Sequence, residues 1–414
     1  MKRIVRSVMI VMLGTLFLIP GAVSAKDPEV FKLGFMTSLS GPFAAVSETQ
    51  KKCTILAVEE INKKGGLDMP WGKTKVELIV KDDETKLDIA VRRYREMVGD
   101  GVHAVTGTIY NPIAAALNEE SKISKIPYLP GCVPALDSFK KGNPSTGTYS
   151  VAFTPWSIGY LTGASCVKTL GAKKIFYQSR TDSWGSTIHE GLKAALKEYG
   201  GEIVGFAEVP KGTTDYTAII NKALAVKPDV FVTCMFGGDV IACINQAQQL
   251  GLSKQCPIFN TFITNVVATG VPAEALNGLY ALEYYYYGME GFGDKKLVEQ
   301  AQAFSEAHVK MWNEPPDAYG SIAYVACQVL FEAVQKAGSF DTEKISKVMS
   351  ESKFDTIKGE VFFREDHEMV SKYLTFLVKG KAPAERKGKY DVFTIEGYFG
   401  GEEALPSLEM MGYK

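Results

Sequence analysis

Thr106-Gly107-Thr108-Ile109-Tyr110-Asn111-Pro112-Ile113 is the stretch that decides the fold, because an apolar strand ends in it and an alanine-rich helix begins. Asn111 suits the N-cap position and Pro112 the first helical position, where the amide that proline lacks has no helical partner. A helix that follows a parallel strand directs its free N–H groups at the sheet edge, where α/β folds bind small anions. This stretch therefore predicts either an anion-binding edge or a helix cap without a ligand.

Strands and helices alternate on both sides of this stretch. In chain order, the expected strands are residues 31–37, 76–80, 103–106, 126–129, 174–178, 202–206 and 230–235, and a helix follows most of them. Such alternation is typical of βαβ units and a parallel sheet. The 27 positions between Val76 and His103 recur between Ile203 and Val230. Two similar α/β lobes are the simplest account of this repeat, with a linker at residues 143–155.

The last third of the chain breaks the repeat. Helical patterns cover residues 295–311, 317–336 and 341–349, and two strand-like segments, residues 359–363 and 373–378, resemble a closing hairpin. Since the second lobe already has about five strands, we expect these helices to return and cover the first lobe. The chain would then cross between the lobes more than once, which makes a hinge.

The N-terminus has the pattern of an export signal. Lys2, Arg3 and Arg6 precede a run of about twelve apolar residues, and a small-x-small site ends at Ala25. We expect residues 1–25 to be a signal peptide that is cleaved after Ala25, and the mature protein to lie in the periplasm. Removing three of 46 basic side chains leaves 43 against 47 acidic ones, a formal charge of −4, which gives no reason to expect nucleic acid as a partner.

The sequence does not indicate the chemistry of an enzyme. There is no phosphate-binding glycine loop, nucleophile elbow or H-E-x-x-H motif, and the four histidines are isolated from one another. Asp82-Asp83-Glu84 is a weak metal candidate, because consecutive residues on a strand point to opposite faces and a solvated strand end is the simpler interpretation. We therefore predict no catalytic residue, no metal and no cofactor. The seven cysteines lack a C-x-x-C motif, and their odd number leaves at least one thiol unpaired if disulfides form.

Aromatic and capping residues lie where the expected strands end. Tyr110 and Asn111 belong to the first lobe, and Trp184 and Phe236 belong to the second. Each is compatible with an ordinary core position, but together they fit a cleft that closes on a small solute.

The chain resembles the periplasmic binding proteins of branched-chain amino acid ABC transporters, the leucine-binding type with the type I binding fold. The resemblance covers nearly all of the mature chain and rests on the order and spacing of short segments, namely residues 38–42, 57–66, 76–84, 171–174, 184–185, 215–216, 228–230 and 246–252. It implies two flavodoxin-like or Rossmann-like lobes with central parallel sheets, joined by a hinge of three crossovers. The lobes would be residues 26–148 completed by 283–356, and residues 149–282 completed by 357–414.

The resemblance also implies a role and a ligand site. The protein would be a monomer that binds a small organic solute, a branched-chain or related amino acid, between the lobes and delivers it to an ABC permease in the inner membrane. Asn111 stands where the family places a serine that holds the ligand carboxylate. The residues implied to line the site are Tyr110, Asn111, Gly131, Cys132, Val133, Trp184, Phe236 and Phe262.

One departure from the family concerns the ligand's ammonium group. Amino-acid binders place an acidic residue after the last strand of the second lobe, whereas the corresponding residues 259–264 contain none. Burying an ammonium group without a counter-charge would cost several kcal/mol. Either another acid, such as Asp182 or Asp239, serves, or the ligand is an aromatic or other carboxylate or amide. A ligand-sensing protein on the same fold, and a hydrolase that uses Cys132 or the acidic cluster, are the alternatives from other functional classes.

Overall fold

The computed structural model of the protein describes residues 30–131, 145–289 and 291–413. Within these ranges the chain forms two large β-sheets flanked by helices and one small sheet of three strands. The expected signal peptide, residues 1–25, lies outside the described residues, as do Cys132 and Val133 of the expected ligand loop. None of the helices in the described ranges has both the length and the apolar character needed to span a membrane.

The first sheet has a parallel core. Its elements in chain order are β1 Val30–Thr37, α1 Ala44–Lys63, β2 Leu67–Met69, β3 Gly72–Asp82, α2 Leu87–Gly99, β4 Ala104–Gly107, α3 Asn111–Ser124 and β5 Tyr128–Pro130. The strand order is β2-β3-β1-β4-β5, and every pairing except the β2–β3 hairpin is parallel. The carboxyl ends of β1, β3, β4 and β5 therefore meet at one edge, as the sequence pattern predicted.

The second sheet repeats this plan. Its elements in chain order begin with α4 Pro155–Ala164, β6 Lys174–Arg180, α5 Ser183–Tyr199, β7 Glu202–Val209, α6 Thr217–Val226, β8 Val230–Thr233, α7 Gly238–Gln249, α8 Leu252–Gln255, β9 Ile258–Asn260, α9 Asn265–Ala268, α10 Ala273–Leu276 and β10 Tyr280–Glu283. Strands β6 to β10 pair in parallel. Two later strands, β14 Thr375–Gly380 and β15 Phe393–Phe399, extend the sheet antiparallel beyond β10.

The helices of the last third return to the first sheet, as expected. After β10 come the helices α11 Lys295–Trp312, α12 Ala318–Ala337 and α13 Thr342–Glu351. Helix α12 packs closely on α1 at Gly320, where a Cβ would lie 2.6 Å from Sγ of Cys53 and 2.8 Å from the carbonyl oxygen of Thr49. This contact needs glycine, because any side chain would force the two helices apart.

The expected closing hairpin is wrong. Residues 359–363 do form a strand, β12 Gly359–Phe363, but it pairs with β11 Phe354–Thr356 and β13 Met369–Ser371 in the small sheet. The segment after Tyr373 instead becomes β14 and joins the second sheet. The reason is burial: Phe376, Leu377 and Val378 are all buried, so β14 needs cover on both of its faces, and the large sheet supplies that cover.

The chain passes between the two sheets three times, and the crossing segments touch one another. The hydroxyl of Tyr284 donates to the carbonyl oxygen of Val151 at 2.7 Å. The amide of Ser150 donates to the carbonyl oxygen of His367 at 3.0 Å, and the rings of Tyr149 and His367 stack with 4.0 Å between their centres. These contacts hold the three crossings together as one hinge.

The acidic strand end is structural, and the interpretation that it is solvated is wrong for Asp83. Asp83 is fully buried, and its Oδ1 accepts from the Ser38 hydroxyl at 2.6 Å and the Thr85 amide at 2.8 Å. Burial raises its pKa. Asp82 accepts from the Leu39 amide at 2.9 Å. The two carboxyl groups therefore fasten the loop after β1 to the end of β3.

The cysteines in the described ranges act as core residues. All six are buried and none is in a disulfide. Burial raises the pKa of their thiols, Cys166 and Cys327 among them, so the reactive thiolate form is disfavoured. These cysteines therefore pack as small apolar side chains.

Candidate functional site

A cavity of about 200 Å³ lies between the carboxyl edges of the two sheets. Both halves of the molecule line it. The first sheet and its covering helices contribute Phe43, Ile109, Tyr110, Asn111, Pro112 and Tyr319, and the second half contributes Arg180, Asp182, Ser183, Trp184, Lys211 and Phe236. A cavity of this form, with aromatic walls and a few polar groups, is typical of sites for small organic molecules.

A larger cavity, of about 730 Å³, lies elsewhere and contains none of the predicted site residues. Several of its polar side chains are already paired with one another. The hydroxyls of Tyr160 and Tyr199 lie 2.7 Å apart in a hydrogen bond, and the Tyr373 hydroxyl donates to Asp294 at 2.6 Å. The cleft between the sheets is therefore the better candidate for a ligand site.

Helix α3 starts one residue earlier than the sequence predicted. Tyr110 is the N-cap and Asn111 is the first helical residue, so the prediction of Asn111 as N-cap is wrong. Tyr110 has the extended backbone that a cap needs (φ −102°, ψ 120°), whereas no side chain caps this helix. The Asn111 side chain is therefore not used by the cap, and it lines the cavity beside the positive end of the helix dipole.

Trp184 is held against the cavity by the start of α5. Its indole N–H donates to the carbonyl oxygen of Cys234 at 3.2 Å, and only 8% of its surface is exposed. The carboxylate of Asp182 caps the helix by accepting from the Gly185 amide at 3.1 Å. A Cβ on Gly185 would lie 2.0 Å from the carbonyl oxygen of Arg180, so this turn depends on glycine to place the indole.

Aromatic rings from both halves meet on the opposite wall. Phe236 lies with its ring centre 5.8 Å from that of Tyr319, edge to face. Phe262 does not line the cavity: it is buried behind Phe236, with ring centres 6.2 Å apart, and it also contacts Tyr319 at 5.6 Å. Gly131 is not in the lining either; its amide donates to the carbonyl oxygen of Gly107 at 2.9 Å, and its own carbonyl accepts from the Gln50 side chain.

Eight of the twelve lining residues were not among the predicted ones, and they include Phe43, Arg180, Lys211 and Tyr319. Arg180 is the last residue of β6, and Phe43 precedes α1, so their positions at a strand end and a helix start were a usable signal. Lys211 is in the loop after β7. Tyr319 belongs to a helix that returns from a crossing, and nothing local in the sequence indicates that it reaches the cleft.

The acidic residues that the sequence offered as counter-charges for an ammonium group already have partners. Asp182 caps α5 and pairs with Arg180. Asp239 accepts from the Gly212 amide at 2.7 Å. Both oxygens of Asp182 are engaged in these contacts, whereas only Oδ2 of Asp239 accepts a hydrogen bond.

A buried acidic group links the two halves next to the cleft. Asp317 caps α12 by accepting from the Tyr319 amide at 3.1 Å, and it also accepts from the Val266 amide of the second half at 3.1 Å. Its burial raises its pKa. Glu283, at the end of β10, is fully buried as well, and burial followed by the charge of Asp317 raises its pKa. Among the described residues, no group of three or more potential metal ligands occurs.

Comparison with known proteins gives relatives along nearly the whole chain. A protein homologous to Leu/Ile/Val-binding proteins from Brucella suis is 23% identical over 348 residues, which are 80% of this chain and 83% of that protein. An amino acid ABC transporter substrate-binding protein from Pseudomonas fluorescens superposes with a TM-score of 0.83 at 21% identity, covering 94% of this chain and 99% of that one. A solute-binding protein from R. palustris in complex with benzoate gives 0.75 at 18% identity, covering 91% and 99%.

The likeness to these structures shows the fold, which has two lobes of the type I binding-protein kind. The family model described as periplasmic binding protein matches residues 30–383, which is most of the sequence. The chain therefore belongs to the periplasmic binding protein family.

Proposed function

We propose that the protein is the non-enzymatic, exported substrate-binding component of an ABC importer, and that it captures a small organic carboxylate in the cleft. The relative from Brucella suis is named for leucine, isoleucine and valine binding, and the structure from R. palustris holds benzoate. Branched-chain amino acids and aromatic acids share a carboxylate and an apolar body. The proposal is limited to that shared chemistry.

The main support for the proposal is that the start of a helix and several aromatic rings line the same enclosed cleft. Helix α3 begins at the cavity without a side-chain cap, and the Asn111 side chain makes no hydrogen bond to any described residue. An anionic group placed there would receive hydrogen bonds and a favourable dipole. The rings of Tyr110, Trp184 and Phe236 would enclose the apolar part of the solute.

Closure would work through the hinge and the contacts across the cleft. We assign residues 26–148 with 283–356 to one lobe, and residues 149–282 with 357–414 to the other. The ammonium of Lys211 lies 4.2 Å from the ring centre of Phe43, and Phe236 touches Tyr319, so both contacts join the lobes. A ligand that fills the space between them would favour the closed form.

The setting of this function is the periplasm, where the family acts. We propose that the signal peptide is cut after Ala25, that the mature protein is a monomer, and that its partner is a permease of the inner membrane. Mass spectrometry of the protein purified from the periplasm tests the cleavage: the mass expected is that of residues 26–414.

A matched ligand screen tests the proposal. Thermal unfolding of the mature protein is recorded with L-leucine, L-isoleucine, benzoate and other small carboxylates, each beside its methyl ester. A ligand present at 100 times its Kd adds about 2.7 kcal/mol to the stability of the folded form. We expect at least one acid to raise the Tm and its ester not to do so. An ester that stabilises as well as its acid, or a panel in which no acid acts, would contradict the proposal.

A further inference from the structure

Two cations of the second lobe line the ligand cavity, whose wall from the first lobe includes the start of α3. Arg180 and Lys211 line the cavity of about 200 Å³, and they also line an adjoining cavity of about 330 Å³. Phe43 and Phe236 are shared by the two cavities as well. The cations therefore border both cavities, and a ligand that extends from the first into the second would lie close to them.

Arg180 has a hydrogen-bond donor that the protein does not use. One terminal nitrogen of its guanidinium donates to Asp182. Its Nε is buried and has no acceptor among the described residues. A buried donor without a partner costs roughly 1–3 kcal/mol, so a ligand oxygen placed there would recover hydrogen-bond energy that folding has left unused.

Lys211 also has free donors. Its ammonium rests against the ring of Phe43 and donates no hydrogen bond to any residue in the described ranges. Partial burial, followed by the positive charge of Arg180, lowers its pKa, while Asp239 and Asp182 act in the opposite direction. The two cations are thus close enough to repel each other, and an anion between them would relieve that repulsion.

The neighbouring carboxylates do not satisfy these donors. Asp182 is held by the Gly185 amide, with its charge offset by Arg180, and Asp239 is held by the Gly212 amide. Asp182, the acid that lines the first cavity, has both of its oxygens engaged, whereas the Nε of Arg180 and the ammonium of Lys211 have donors to give. The open groups that the second lobe presents to the first cavity therefore favour an anion over an ammonium group.

We propose that Arg180 and Lys211 bind a second carboxylate of the ligand, so that the solute is a small dicarboxylate and not an amino acid. This rests on the proposed function, because it concerns the ligand of the same cleft. The first carboxylate lies at the start of α3, the body lies between Trp184 and Phe236, and the second carboxylate meets the two cations. Charge-assisted hydrogen bonds of this kind are about twice as strong as neutral ones.

Two sets of matched probes test the proposal by calorimetry on the mature protein. The aromatic set is terephthalate, 4-methylbenzoate and 4-(aminomethyl)benzoate, and the aliphatic set is glutarate, valerate and 5-aminovalerate, with L-leucine added. Each set keeps one carboxylate and changes the far end from anion to methyl to ammonium. We expect one dicarboxylate to bind about tenfold or more tightly than its two analogues.

Two variants test whether Arg180 and Lys211 cause the preference for a dicarboxylate. Arg180→Gln and Lys211→Met should each weaken dicarboxylate binding by about tenfold and change the binding of the matched monocarboxylate by less than about threefold. Lys211 is more exposed than Arg180, so its replacement tests the proposal even if Arg180→Gln folds poorly. Arg92→Gln is the control for the loss of one positive charge, because Arg92 is 60% exposed and pairs only loosely with Glu96 at 3.8 Å.

The outcomes separate this inference from the proposed function. If L-leucine or an ammonium analogue binds most tightly, the inference that the ligand is a dicarboxylate is wrong, but the proposed function is not contradicted. A dicarboxylate whose affinity is unchanged in both variants would overturn the role of Arg180 and Lys211. If no probe binds, the inference is wrong, and the carboxylate ligand of the proposed function is contradicted with it.

Discussion

The indole N–H of Trp184 donates to the carbonyl oxygen of Cys234 at 3.2 Å, which ties the start of α5 to the end of β8 and fixes the ring at the cavity. Replacing Trp184 by Ala should weaken ligand binding by about ten- to a hundredfold, because burying an aromatic ring contributes roughly 1.5–3 kcal/mol. The affinity of Trp184→Phe should lie between those of the wild type and Trp184→Ala. This variant keeps an aromatic ring but leaves the carbonyl oxygen of Cys234 without its donor. Calorimetry with the ligand found by the screen measures all three proteins.

The control for Trp184 is Trp71→Ala. Trp71 is also partly buried and also donates, to the Thr74 hydroxyl at 2.9 Å, but it lies away from the cleft. Trp71→Ala should lower the thermal stability of the protein and leave its ligand affinity unchanged. Equal affinities for Trp184→Ala and the wild type would remove Trp184 from the site.

Asn111→Asp should place a negative charge where the ligand carboxylate is expected. We predict a loss of affinity of more than about tenfold, because two like charges in a partly buried site repel by several kcal/mol. Folding should not suffer, since an acidic residue in the first helical turn interacts favourably with the helix dipole. The paired readouts are calorimetry for affinity and thermal unfolding for stability.

Two further variants accompany Asn111→Asp. Asn111→Ala removes the side-chain amide without adding a charge, and it should weaken ligand binding by only about threefold. Asn277→Asp adds the same charge at an exposed position remote from the cleft and should have no effect. Unchanged affinity in Asn111→Asp would mean that the carboxylate binds elsewhere.

Local patterns in the sequence predicted most of the elements. The helix expected at residues 184–199 is Ser183–Tyr199, and the one expected at 317–336 is Ala318–Ala337. Such elements are predictable because apolar periodicity and capping residues act over a few positions. Asp317 and Asp341 cap their helices with side-chain hydrogen bonds, which is why those two helix starts were within one residue.

The errors arose where distant parts of the chain decide the structure. The segment 373–378 was paired with its neighbour in sequence, whereas β14 pairs with β10 about ninety residues earlier. Gly131 was predicted to line the site, but it is not in the cavity lining, and its amide donates to the carbonyl oxygen of Gly107. Tyr319 reaches the cleft only because α12 returns to the first lobe. Hydrogen-bond partners and returning helices leave no local pattern, so sequence reasoning could place the cleft but not complete its lining.

The His103 ring should make stability depend on pH. The Lys32 amide donates to Nδ1 of His103 at 3.0 Å, so this nitrogen carries no proton in the folded protein. Burial, and then the charge of Lys32, lowers the ring's pKa from 6.5. The unfolded chain therefore binds a proton at a higher pH than the folded chain does. The stabilisation is fully present above pH 6.5 and is lost as the pH falls through the folded pKa.

Urea unfolding at pH 8, 6.5 and 5 measures this dependence. His103→Asn keeps an acceptor for the Lys32 amide but does not titrate, so its stability should fall less between pH 8 and pH 5 than that of the wild type. His189→Asn provides a comparison, because burial also lowers the pKa of His189. A His103→Asn curve parallel to the wild-type curve would contradict the assignment.

Helices α4 and α5 cross at glycines, and this crossing supports the wall that carries Trp184. A Cβ on Gly191 would lie 2.0 Å from the carbonyl oxygen of Trp156, and one on Gly159 would lie 1.9 Å from that of Ile188. Gly191→Ala should therefore lower the free energy of unfolding by about 2 kcal/mol or more, because backbone atoms cannot move aside as a flexible side chain can. Gly99→Ala is the control: it has open space at the end of α2 and should gain up to about 1 kcal/mol. Urea unfolding of both variants decides the point, since equal stability in Gly191→Ala and the wild type would show that the helices do not approach this closely.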